Sequence, residues 1–308
     1  MRHGRYRFVA GFLVVPVALY VVFMISPYVQ DIYYSLTQWS GFSDTPKFVG
    51  LDNYVRLFHN SQFLQAFLHN VFFLITLPLI TIVLALFLAF MLNVGGRRDR
   101  AGIAGVRGSG IYKIVLFFPQ VLSVAIIVIL FQAIFQSDSN GLLNGILIKL
   151  HLMDAQHPGL WFSDANWVRW CLLAVMVWSG FGFYMVLFSA AMQSIPKDIY
   201  EAALLDGASR GHTFFRVTLP LLWDTISVAW VYLGFVALDC FALVYALTPG
   251  PGGPNHASQV MSTVFYETFT TAPPQFGYAC AMGVALAVFS LLLAAVQLRV
   301  TRRETIEL

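Results

Sequence analysis

The chain is 308 residues long, 58% hydrophobic and only 11% charged, with a net charge of +3. Its mean hydropathy is +0.73. A soluble globule carries about 25% charged residues, so these charges are too few to cover a water-exposed surface. That excludes a soluble enzyme, a disordered chain and a nucleic-acid-binding domain.

A helix that crosses a bilayer needs about 20 apolar residues. In chain order, six runs meet that length: Phe8–Ile25, Val71–Leu92, Ile114–Phe135, Trp170–Met192, Thr225–Leu247 and Tyr278–Leu298. The fifth is interrupted only by Asp239. Inside lipid each backbone polar group must bond within its own element, so six runs predict six helices. Alternating polar and apolar residues, the mark of a membrane barrel, are missing. The first run follows Arg2, Arg5 and Arg7 like a signal peptide. Its apolar stretch is too long for one and no small-residue cleavage site follows, so it reads as a retained first helix.

Lys and Arg placement predicts the direction of these helices. Fourteen of the 18 fall on one side: the N-terminus, the loop with Arg97, Arg98, Arg100, Arg107 and Lys113, the loop with Lys197, Arg210 and Arg216, and the tail with Arg299, Arg302 and Arg303. Only Lys47, Arg56, Lys149 and Arg169 fall on the other. Both termini are therefore expected in the cytoplasm. Two sizeable loops, Leu36–Asn70 and Gln136–Arg169, face outward. Trp39, Trp161, Trp167 and Trp170 stand at the outer ends of spans, where amphipathic rings favour the interface.

No constellation for chemistry is visible. Cys171, Cys240 and Cys280 are odd in number, lie in or beside apolar runs, and read as packing residues rather than a disulfide or metal framework. There is no GxxxxGK[ST] loop, no HExxH and no GxSxG. The glycines at Gly102, Gly105 and Gly108 have the wrong spacing for a dinucleotide fingerprint and read as a flexible basic loop. No catalytic residue and no metal ligand is expected, and the chain itself is expected to hold no cofactor.

The loop between the fourth and fifth runs has its own local code. Ser194 can cap a helix and Pro196 suits a first turn. Asp198 and Glu201 favour the positive end of a helix dipole, and Ala202 to Leu205 are strong helix formers. Gly207 can take the left-handed turn that ends this helix. Ser209 can cap a second short one, which Pro220 stops. Ala202 and Ala203 make a smooth flank for close approach, and Glu201 offers a charge to an Arg or Lys of a partner.

The string Glu201-Ala202-Ala203-Leu204-Leu205-Asp206-Gly207-Ala208, with Phe215 and Leu219-Pro220 at their spacings, resembles the EAA loop of permease subunits in bacterial ATP-binding-cassette importers. Phe48-Val49-Gly50-Leu51-Asp52-Asn53-Tyr54, Leu247-Thr248-Pro249 with Gly252-Gly253-Pro254, and Phe276-Gly277-Tyr278-Ala279 resemble the same family in its sugar branch, nearest the maltose-permease type. One departure is visible: Trp223-Asp224 stands where the family often has a second proline.

The resemblance implies an all-α polytopic protein with the type I importer permease fold. Residues 1–7 would be a cytoplasmic N-terminus, 8–300 the six-helix permease domain with its coupling loop at about 194–220, and 301–308 a cytoplasmic tail. It implies a second, homologous permease subunit, two ATP-binding subunits and an extracytoplasmic sugar-binding protein as partners, within the lipid of a bacterial inner membrane and without nucleic acid. ATP and Mg would be bound by the ATPase partners. Glu201, Ala202, Ala203, Asp206, Gly207, Leu219 and Pro220 would dock the ATPase.

Polar groups deep in spans usually face a cavity or partner. Asp239, Gln132, Trp178 and Tyr184 are therefore expected along the substrate path, with Gln120 beside the kinking Pro119. The competing reading is an ion-coupled secondary transporter that uses Asp239. The small residues Gly277, Ala281 and Ala285, spaced by four, predict a helix-packing seam.

Overall fold

The structure, a computed structural model, describes residues 2–42, 45–94, 106, 108–250 and 252–301. Most of the basic Gly95–Gly110 loop, with Arg97, Arg98, Arg100, Arg107 and the glycines Gly102 and Gly105, lies outside the described residues. So do the tail arginines Arg302 and Arg303 and the side chains of Arg2, Arg5 and Arg7. Apart from one two-residue hairpin, the described residues form helices and their connections. They divide into two compact units.

The first unit comprises the chain up to Leu64 and Val264–Phe289. Here α1 (Arg2–Tyr20), a π-turn (Val21–Ile25) and α2 (Ser26–Ser35) make one long helix, apolar enough to span over Gly11–Ser35. The hairpin β1 (Thr37–Gln38) and β2 (Lys47–Phe48) follows, then α3 (Asp52–His59). Asn53 ties α3 down: its Nδ2 donates to the carbonyls of Ser35 at 2.8 Å and Thr37 at 2.9 Å. These are orphan acceptors past the end of α2, which a buried side-chain amide satisfies.

The second unit comprises Gln65–Thr263 and the chain beyond Phe289. The helix α4 (Ser61–Val94) starts ten residues before the expected Val71. The cause is Asn60, whose Oδ1 accepts from the amides of Gln62 at 3.0 Å and Phe63 at 3.3 Å, a side-chain cap. Gln62, Gln65 and His69 are carried in the same helix because Phe63 and Ala66 are buried along its inner face.

The third run is not one straight helix. It is α5 (Ser109–Phe117), a 3-10 turn (Phe118–Val121) and α6 (Val124–Ile134), with a bend of 99°. Pro119 cannot donate its amide, and Ser123 restarts the helix by accepting from Ile126 N. After α6 come α7 (Leu142–Lys149) and α8 (Val168–Ser194), which matches the fourth run closely.

The connection after α8 holds α9 (Lys197–Leu205), α10 (Arg210–Thr213), a π-turn (Phe214–Thr218) and α11 (Leu219–Leu221). Then come α12 (Trp223–Leu238) and α13 (Phe241–Leu247). Two expectations fail here. The helix continues through Pro220 and breaks at Leu222, where α10–α11 and α12 bend by 71°. Pro220 follows directly on the π-turn, and the backbone at Thr218 and Leu219 keeps helical angles into it. The fifth run also ends early: α12 stops at Leu238, and Asp239 sits in the break before α13.

Beyond a 3-10 turn (Pro254–His256), α14 (Met261–Thr270) and α15 (Phe276–Thr301) complete the chain. Gly277 starts the expected seam. A Cβ there would collide with the carbonyl of Thr37, and Ala281 and Ala285 below it are buried.

Asn144 organises the loop before α8 and is fully buried. Its Nδ2 lies within 3.1 Å of the carbonyls of Gln136, Asp138 and Gly159. Its Oδ1 accepts from Gly159 N at 3.1 Å and Trp161 Nε1 at 2.8 Å. Asn144→Ala leaves these groups unsatisfied and is expected to cost about 3 kcal/mol locally. Limited trypsin digestion of the membrane-embedded protein should then cut at Lys149 markedly faster than in the parent chain.

Candidate functional site

The segment between α8 and α12 is built from its own caps. Pro196, not Ser194, is the N-cap of α9; Ser194 closes α8 instead, its Oγ donating to Ala191 O at 2.8 Å. The far end is a Schellman closure. Gly207 N donates to Leu204 O at 3.0 Å and Ala208 N to Ala203 O at 2.9 Å, with Gly207 at φ +75°. Ser209 caps α10 by accepting from His212 N at 3.3 Å.

One hinge point pins α9 to the rest of its unit. The buried Tyr200 hydroxyl lies 3.4 Å from Thr218 Oγ1 in the following π-turn. Burial holds that phenol above its ordinary range, and the Thr218 bond opposes the shift. Tyr200 anchors one face; Glu201, Ala202, Asp206 and Leu205 occupy the open one. Leu205 is 89% exposed, and Phe215 is 63% exposed nearby in sequence.

The expected docking residues therefore separate. Glu201, Ala202, Asp206, Gly207 and Pro220 are exposed. Ala203 is half-buried and faces inward, because its position one turn after Ile199 puts it on the anchored side. Leu219 packs against the core of its unit. Leu205 was read from the sequence only as a helix former, not as a docking residue; a large apolar side chain at the tip of a charged helix was the available signal.

Within the same unit, α4, the 3-10 turn, α6, α8, α12 and α13 surround a cleft of about 450 Å³. Its walls are mainly apolar, and its polar groups are Gln120, Ser179, Tyr184 and Tyr232. The bend at Pro119 creates this space by swinging α6 away from α5 and placing Gln120 on the wall. On α8 the residues Ser179, Gly180, Phe183, Tyr184 and Leu187 form one helical face toward it.

Of the four expected path residues, only Tyr184 lines this cleft. Asp239 is exposed in the α12–α13 break, since the run that was expected to carry it through the bilayer is not one helix. Gln132 donates from Nε2 to Ala246 O at 3.0 Å and so braces α6 against α13. Trp178 packs edge-on against Phe131, with ring centres 5.1 Å apart, and lines a separate apolar groove. Ser179 and Tyr232 were missed.

Asn70 ties α4 to the end of α12. It is buried, donates from Nδ2 to Ala237 O at 2.9 Å and accepts at Oδ1 from Met261 N at 2.8 Å. The Ala237 carbonyl loses its helical partner because α12 ends one residue later, and Asn70 supplies the donor. Among the described residues, no three His, Cys, Asp or Glu side chains converge in a metal-holding group.

Residues 100–306 match the family model described as the binding-protein-dependent transport system inner membrane component. The diacetylchitobiose uptake system permease protein NgcF of Streptomyces coelicolor is 40% identical over 299 residues, covering 97% of this chain and 83% of that protein. The lactose transport system permease protein LacF of Rhizobium radiobacter is 31% identical over 300 residues, covering 97% and 96%. Among solved structures, a chain of a bacterial alginate ABC transporter in complex with alginate pentasaccharide-bound periplasmic protein superposes with a TM-score of 0.78. It covers 98% of this chain and 96% of that one at 22% identity, a likeness of fold.

Proposed function

We propose, because this chain belongs to the family of binding-protein-dependent transport system inner membrane components, that it carries a sugar or short oligosaccharide inward as one of two permease subunits of an ATP-driven importer. It is a multi-pass membrane protein with the type I importer permease fold. The observation that carries the coupling role is the exposed face of α9, held at one end by Tyr200 and at the other by the Gly207 closure. A helix fixed at both ends transmits displacement where a loose loop would absorb it.

In this reading α9 docks on an ATP-binding subunit that holds ATP and Mg. Glu201 and Asp206 face cations of that subunit, and Ala202 and Leu205 make the close apolar contact. Movement of α9 pulls on the π-turn through Thr218 and so on α11 and α12. That helix forms one wall of the 450 Å³ cleft. Tyr184 and Tyr232 supply flat rings with hydroxyls for a sugar, and Gln120 and Ser179 supply further hydrogen-bonding groups. The sugar class is supported by relatives named for diacetylchitobiose and lactose.

Uptake should require ATP inside vesicles and a sugar-loaded binding protein outside. It should survive an uncoupler. Asp239→Asn, which removes ionisation but keeps volume, should retain most uptake, because the side chain is exposed in a connection between helices. Accumulation that persists without ATP and without the binding protein, but collapses with uncoupler, would overturn the importer reading in favour of ion coupling.

Orientation follows the charge distribution, with both termini and α9 in the cytoplasm. A cysteine at Ser139 should react with an impermeant thiol reagent in intact cells, and one at Ser109 should react only after the membrane is opened. The opposite pattern would invert the chain and place α9 out of reach of ATP-binding subunits.

A further inference from the structure

The helix α3 has three faces where a surface helix of a soluble protein has two. Asn53 and Leu57 are buried, and Tyr54 beside them bonds the Ser35 hydroxyl at 2.7 Å. Asp52, Arg56 and His59 form a polar edge. Leu51, Val55 and Phe58 form an apolar stripe that is 66%, 58% and 55% exposed. At about 100° per residue the centres of the three sets fall roughly a third of a turn apart. One face meets protein, one suits water, and one suits neither.

The position of α3 is set by its bonds. Asn53 holds the carbonyls of Ser35 and Thr37, at the end of the first span. Arg56 donates to Gln275 Oε1 at 2.6 Å and lies 4.2 Å from the Tyr278 ring centre, in the first turn of α15. Asn60 Nδ2 donates to the Tyr278 hydroxyl at 3.0 Å. Thus α3 lies across the ends of two membrane-crossing helices, at the level where the bilayer meets water. Trp39, stacked on Tyr34 at 4.3 Å, marks the same level.

We infer that α3 is an interfacial anchor. Its Leu51–Val55–Phe58 stripe lies in the lipid headgroup boundary, its Asp52–Arg56–His59 edge faces water, and it fixes the height of the first and last spans in the membrane. The occupant is lipid because α3 is tied through Asn53 to the end of the first span, a helix whose own side chains, Val29 and Ile32 among them, are exposed and apolar. An interfacial helix buries its apolar side roughly 5–10 Å into this boundary. The inference rests on the membrane location of the chain and is independent of the cargo.

Nitroxide labels on single cysteines at Leu51, Val55, Phe58, Asp52 and His59 test this in the assembled transporter, reconstituted in phosphatidylcholine–phosphatidylglycerol vesicles. All five sites are exposed, so the labels leave the core intact. The first three should collide several-fold more with oxygen than with a water-soluble nickel chelate, and Asp52 and His59 should show the reverse. Val55→Trp should be quenched by lipids brominated near the headgroup. Equal nickel access at all five sites would place the helix in water. Loss of both collision agents at the stripe, without bromine quenching, would assign it to a protein partner. Either result overturns the proposal.

Discussion

Gly182→Ala should abolish most transport, whereas Gly180→Ala, two residues away on the same helix, should retain it. A Cβ on Gly182 would run into the carbonyl of Leu116 and come within 2.9 Å of the Phe117 Cα. These are backbone atoms of α5 and cannot rotate aside, so α5 must move off α8. Overpacking of this kind costs about 1–3 kcal/mol. The larger effect is positional, because α5 runs straight into the Pro119 turn that lines the cleft. A Cβ on Gly180 meets only Tyr184 Cε2, at 3.9 Å, an ordinary contact. Uptake by the Gly182 variant should fall more than tenfold, with a lowered thermal midpoint in detergent. The Gly180 variant should change affinity at most, since it adds one methyl group to the cleft wall. Equal behaviour of the two would mean that the α5–α8 contact does not position the cleft.

The contrast between these neighbouring glycines shows what sequence periodicity leaves out. Long apolar runs revealed the first, second, fourth and sixth spans, because bilayer thickness demands length and composition alone. The bends were hidden. Pro119 is compatible with either a kink or a break, and nothing local at Leu222 announces one. Buried asparagines were hidden for a related reason. Asn53, Asn70 and Asn144 each satisfy backbone groups outside their own helix, and only the fold brings those groups within reach.

Readings that depended on local rules held better than readings that depended on span continuity. Gly207 and Ser209 act within a few residues, and their caps form as their side chains allow. Asp239 was read as an acid inside a continuous span; α12 ends at Leu238, so it stands instead at a break between two helices. The helical face Ser179–Gly180–Phe183–Tyr184–Leu187 was legible in principle, as small and polar residues clustered on one side of an apolar helix. Tyr184 was read singly rather than with its face, so Ser179 was passed over.

Gly207→Val should uncouple ATP hydrolysis from transport while leaving the chain folded in the membrane. Gly207 adopts φ +75°, and a Cβ there meets nothing within 4 Å. Steric collision is therefore absent, and the whole effect is conformational. A left-handed residue other than glycine costs roughly 1–2 kcal/mol, and a β-branched side chain is a genuine outlier there. Asn tolerates this region best among the alternatives, so coupled uptake should rank Gly, then Asn, then Ala, then Val. The strain acts on the bonds from Gly207 N to Leu204 O and from Ala208 N to Ala203 O, which set the direction of the last turn of α9. Losing them frays the turn that carries Leu205 and Asp206, the end of α9 proposed to dock on the ATP-binding subunit. Glu201→Ala should be milder, because an exposed charge pair is worth less than about 1 kcal/mol until docking desolvates it. The measurement is sugar uptake alongside co-purification of the ATP-binding subunit in each variant. Should Val at position 207 transport and assemble as well as Asn, the left-handed closure would have no part in coupling, and docking would have to rest on α9 upstream of it.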